Sequence, residues 1–238
     1  MTLQLGYIGL TIAICVWLIV IGFNTIDKSF APDRAKKKKL LLVASLIIWQ
    51  LYIYLVSVSG FIKTLEFPPR FVLMMILPSF VFTGIFIYQN RKNDWILNII
   101  PSRLFFFQSF RILVETLFAA SVAAGILHKE ASIHGYNYDM IYAFTIPAIG
   151  VLIFVLNYLN LKVARAWNYL GLLVIASIIF VFQTTVYAPH LYGASEPLMP
   201  LEALTYPYVL IAGFLMPVAV FIHVLSIVQL NRIIKMNQ

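Results

Sequence analysis

Apolar residues fall in seven long stretches, at about 4–23, 39–59, 71–89, 104–127, 139–160, 168–188 and 205–230, with short polar breaks between them. Each is close to the roughly 20 residues a helix needs to cross the hydrocarbon layer of a bilayer. Lipid offers no water to an open backbone, so unbroken runs of this length predict helices. The pattern predicts an all-α polytopic membrane protein: one domain over residues 1–238 with seven transmembrane helices.

The breaks carry the charge. Thirteen of the seventeen Lys and Arg residues lie after the first, third and fifth stretches or in the C-terminal tail, among them Lys36, Lys37, Lys38, Lys39, Arg91, Lys92, Lys162, Arg165, Arg232 and Lys235. The alternate breaks hold Lys63, Arg70 and Lys129. Basic residues stay on the cytoplasmic side, which predicts an N-terminus outside and a C-terminus inside. The first stretch has no basic segment ahead of it and is expected to be a retained helix, not a cleaved signal. Trp49, Trp95 and Trp167 are expected as interface anchors. The segment NDWILNIIPSR is expected to lie along the cytoplasmic surface.

Composition agrees: 62% of the 238 residues are hydrophobic and 11% are charged, where a soluble domain has about one quarter charged. A net charge of +8 could suggest nucleic acid, but the bases sit in short loops between apolar spans. The run Lys36–Lys39 reads as an orientation signal that also meets anionic lipid headgroups. Cys15 is the only cysteine, which leaves no disulfide framework and no thiolate metal site.

The candidate chemistry is intramembrane. Gln108, Arg111 and Glu115 share one helical stripe, and Arg111 is expected to pair with Glu115 one turn on. A charge at mid-bilayer costs about 3 kcal/mol on insertion scales, so the stripe should face other helices. His223, Ser226, Gln50, Asn157, Asn160 and Asn168 are expected at comparable depth, with Pro78, Pro147 and Pro217 freeing backbone carbonyls. These groups are expected to gather into a polar pocket open toward the cytoplasm. The competing reading is that they only fix helix packing.

The loop HKEASIHGYNYDM brings together His128, Glu130, His134, Asn137 and Asp139. Its spacing fits no metal cage, and no metal is expected there. Gly135 and Asn137 read as turn residues and Asp139 as a helix cap. No lysine lies between residues 205 and 230, which excludes a Schiff-base retinal in the last helix. No phosphate-binding loop, HExxH or nucleophile elbow is present, and no cofactor is expected.

QSFRILVETL, HGYNYDMIYAFTIPAIG, RAWNYLGLLVIASII and PVAVFIHVLSIVQL resemble blocks of a family of uncharacterised bacterial seven-helix membrane proteins. In that family an FR…E helix precedes a loop of the form EGxNxD and a helix opening toward TAP. A WN-start helix and a last helix with P…H…S…QL follow. The resemblance covers about residues 104–230. It departs at His134, where the family has an acid, and at Tyr136, where it has a base. It implies seven helices and a bacterial inner membrane, and no activity. By position it singles out Arg111, Glu115, Asn137, Asp139, Trp167, Asn168, Pro217 and His223.

Three functions fit the residues. The first is small-molecule binding or transport through the polar cluster, with Arg111, Glu115, Gln108, His223, Gln50 and Asn157 holding a ligand or relaying a proton. The second is a structural or assembly subunit. The third, ranked last for want of a nucleophile, is a membrane enzyme.

Overall fold

A computed structural model describes residues 2–133 and 135–238. Every regular element among them is helical. Helix α1 spans Thr2–Ser29 and α2 Pro32–Val58. A π-helical turn, Val72–Ile76, leads into α3, Leu77–Asn90. The fourth stretch divides into α4 (Pro101–Phe107), a 3-10 turn (Gln108–Phe110) and α5 (Arg111–Ala123). Helix α6 is Asp139–Phe154 and α7 Leu161–Tyr187. A second π turn, Ile211–Leu215, leads into α8, Met216–Met236.

Six of the seven predicted stretches give helices long and apolar enough to cross a membrane. The fifth does not reach that length. It was expected over 139–160, but α6 has 16 residues, about 24 Å at 1.5 Å per residue against a hydrocarbon core of about 30 Å. It ends because the chain turns left-handed at Asn157 (φ 55°), a conformation Asn tolerates better than most residues. The amides of Leu156 and Tyr158 then bond back to Val151 and Leu152.

Helix α8 is the axis of the bundle. It packs on α3, α4 and α7 and buries Ala219, Ile222, Leu225 and Leu230 among others. Helix α2 is peripheral, burying only Ala35, Ile53 and Ser57 and exposing Leu40, Leu41, Ile47 and Ile48. An exposed apolar face of that kind suits lipid, not water.

The two prolines at the π turns show how α2 is held. A proline cannot bond the carbonyl four residues back, so Pro78 frees Met74 and Pro217 frees Gly213. Tyr52 donates to the Met74 carbonyl at 2.8 Å and Trp49 to that of Gly213 at 2.9 Å. The two rings stack at 5.0 Å. Trp49, expected as an interface anchor, thus forms with Tyr52 a clamp on two interrupted helices.

Contacts between connections mark the two ends of the bundle. At the basic end Asn98 donates to Ser29, Arg232 pairs with Asp94, and Arg165 donates to Asn231. At the other end Tyr7 bonds Ser121, Leu198 bonds Thr185, and the Tyr136 and Tyr192 rings meet. The segment around Trp95 is a 3-10 turn at Asp94–Asn98, with Asp94 and Asn98 exposed. Ile96 and Ile99 are buried, and Gln229 donates to both of their carbonyls.

Candidate functional site

Arg111, Glu115 and Asp139 are only 2, 3 and 5% exposed, a depth at which every charge needs a partner. Arg111 begins α5 at the point where the 3-10 turn interrupts regular winding. Its Nε donates to Asp139 Oδ2 at 3.1 Å and its Nη2 to Oδ1. This two-pronged fit matches the planar guanidinium to the planar carboxylate. Nη1 lies 2.9 Å from His223 Nε2, and the Tyr142 ring covers the cation at 4.7 Å.

The expected Arg111–Glu115 pair is therefore not the one that forms. The guanidinium reaches across to the first residue of α6, leaving Glu115 to other partners. Asn137 Nδ2 donates to Glu115 Oε2 at 3.1 Å and, less closely, to Oε1 at 3.3 Å. Asp139 is the first residue of α6 and not its cap: Asn137 Oδ1 accepts from the Asp139 amide at 2.9 Å. Asp139 keeps its carboxylate free for Arg111, beside the positive end of the helix dipole.

His223 is fixed from both sides. Asn168 Nδ2 donates to the Ala164 carbonyl at 2.8 Å, which leaves its Oδ1 to accept from His223 Nδ1 at 2.9 Å. The Nε2 lone pair then faces Arg111, and the ring is a neutral imidazole. A Cβ at Gly171 would fall against the His223 ring and the Tyr142 hydroxyl. The Tyr142 hydroxyl donates to the Trp167 carbonyl at 2.9 Å, and Trp167 Nε1 donates to Thr145. One network thus links α5, α6, α7 and α8.

The other sequence candidates divide. Gln108 donates to the Ala219 carbonyl at 3.0 Å and bonds neither Arg111 nor Glu115; its Oε1 is buried without a partner. Gln50 is half-buried and meets only Cys15 Sγ, at 3.9 Å, outside the cluster. Asn157 is exposed beyond α6, and Asn160 caps α7. Pro217 is buried at the start of α8 and acts through the carbonyl it frees. Trp167 and Asn168 join the network. In the loop, His128 Nδ1 accepts from the Glu130 amide in a local turn, while His134 lies outside the described residues. Among the described residues no group of three or more His, Cys, Asp and Glu is placed to hold a metal ion.

A cavity of about 110 Å³ adjoins the network, with Arg111, Glu115 and Asp139 on one wall. Most of the rest is apolar, including Phe110, Phe118, Ile175, Ile179 and Leu215. The pocket was expected among the second, fourth, fifth and seventh helices at the basic end. It lies instead toward the opposite end, reaching Leu65, Met199 and Leu204 in that end's connections. Both π turns contribute to it, through Val72, Ile76, Ile211 and Leu215. Such turns widen a helix locally and recur at functional sites.

Sequence reasoning missed Tyr142 and Gly171. Tyr142 follows Asp139 by three residues, hence on the same helical face, and that spacing was the available signal. No family model, curated protein or solved structure matches the chain.

Proposed function

We propose an integral protein of the bacterial cytoplasmic membrane that binds a small molecule in this cavity, with Arg111, Asp139, Glu115 and His223 as its polar wall. The observation that carries the reading is a void of about 110 Å³ beside a buried ionic network. A packing device needs no such space, because protein interiors close on their side chains. Movement of the ligand across the membrane is the extension of this reading.

The same proposal includes seven crossings. Helix α6 with the irregular residues 155–160 completes the fifth, and the re-entrant loop before it shortens the helical part. The basic end faces the cytoplasm, where exposed Lys36, Lys37 and Lys38 meet anionic headgroups. Membership of the seven-helix family named above belongs to the proposal as well.

Arg111 does not serve as the anion receptor that its charge suggested. Three of its five donors are taken by Asp139 and His223, and its face is covered. Native mass spectrometry from nanodiscs tests the binding role. The wild type is expected to retain a small molecule that the cavity-filling variant Ala212→Trp loses. A wild type empty even after exposure to cellular lipid extract, with Ala212→Trp merely more stable, contradicts it.

A further inference from the structure

We infer that the cavity takes an amphipathic cation, an ammonium head on an aliphatic chain, which enters sideways from the bilayer between the Val72–Ile76 turn and α7. This deepens the binding role proposed above and rests on it.

The head group follows from the charges on the wall. The cavity is lined by two carboxyl side chains, Glu115 and Asp139, and one cationic side chain, Arg111. The guanidinium is committed to Asp139 by two bonds and to His223 by a third. His223, held by Asn168, presents a lone pair to Arg111 and adds no charge. Glu115 receives only the amide of Asn137 and meets no second cation. A carboxyl facing a low-dielectric cavity attracts a cation far more strongly than one in water does. An incoming anion meets two carboxyls and a guanidinium already taken.

The tail follows from the lining. Beyond the three ionic residues, the wall is mostly aliphatic and aromatic, with Thr64 and Gln183 the other polar side chains besides tyrosines, and Phe118 and Ile175 are buried in it.

The route follows from exposure. The half-exposed lining residues include Thr64, Leu65 and Met199 in the connections and Phe71, Val72, Ile179 and Phe182 on the flank; the last four, all apolar, mark the lateral mouth. Gln183 beside them is the one amide. A mouth of this composition suits hydrocarbon rather than water. Helix α7 is continuous here, whereas the facing segment is a π turn whose wider winding spreads the wall.

The test titrates the full chain in lipid nanodiscs with n-octylammonium, n-octanoate and n-octanol, reading the thermal unfolding midpoint. Octylammonium is expected to raise the midpoint saturably, and octanoate is not. Glu115→Gln should weaken the apparent octylammonium affinity at least about tenfold. Ile179→Trp, which narrows the mouth without touching the ionic wall, should weaken it as well. If octanol matches octylammonium and Glu115→Gln changes neither, or if octanoate is preferred, the cation assignment is overturned while the cavity remains a binding site. If no probe acts on the wild type, and Ile179→Trp behaves like it, the binding role itself is lost.

Discussion

Arg111 carries a full charge at 2% exposure, and its two-pronged bond to Asp139 makes that tolerable. Losing one partner leaves the other buried and uncompensated, a loss of about 3–5 kcal/mol. Arg111→Met and Asp139→Leu are each expected to destabilise on that scale in reversible unfolding from detergent micelles. The double variant should cost less than either single one, and additive losses would deny the pair. Gly171 makes a second residue-scale prediction. Its missing Cβ leaves room for the His223 ring and the Tyr142 hydroxyl, so Gly171→Ala should cost about 1–3 kcal/mol by overpacking. The imidazole resonances of His223 should shift in the same variant. At this scale the sequence reads well for burial and poorly for pairing. Insertion cost identifies Arg111, Glu115 and His223 as buried groups, but the partner of Arg111 depends on where a loop of irregular backbone returns the chain. Helical spacing points to Glu115; the fold supplies Asp139.

Among the elements, prolines and irregular turns shape the site more than the regular helices do. Pro78 and Pro217 follow the two π turns, and the carbonyls they free are taken by Tyr52 and Trp49 of α2. Breaking such a bond leaves a buried acceptor unpaired, worth about 1–3 kcal/mol. Trp49→Phe is therefore expected to destabilise by that amount. In a Pro217→Ala background, where the helix can recover its own bond, the same change should cost distinctly less. Equal costs in both backgrounds, measured as a double-mutant cycle by unfolding, would deny the link. That prolines free carbonyls was legible in the sequence; that one peripheral helix supplies both donors was not, because Trp49 and Tyr52 look like ordinary interface aromatics. The shortness of α6 was hidden for a related reason. Hydropathy stays high through Leu159, so only the backbone at Asn157 reveals where the helix stops.

For the molecule as a whole, apolar runs settle the all-helical architecture, and loop charge separates one end from the other. The proposed orientation puts Lys37 and Glu196, both exposed, on opposite faces of the membrane. In a Cys15→Ala background, an impermeant maleimide applied from outside should label Glu196→Cys and spare Lys37→Cys until the membrane is opened. Labelling of both from one side would contradict the alternation of spans. The cavity was the least legible feature, since its volume arises from how two π turns and the connections at one end pack, and no single segment encodes that. The central claim is that Glu115 presents its carboxyl to a hydrocarbon-lined space while Asp139 is locked to Arg111. Peptide mass spectrometry after reaction with dicyclohexylcarbodiimide, a carboxyl reagent that reaches its target through lipid, tests it most directly. The account predicts modification at Glu115, none at Asp139, and none at the corresponding position of Glu115→Gln. Modification of Asp139 instead, or an unreactive Glu115 in the folded protein, would contradict it.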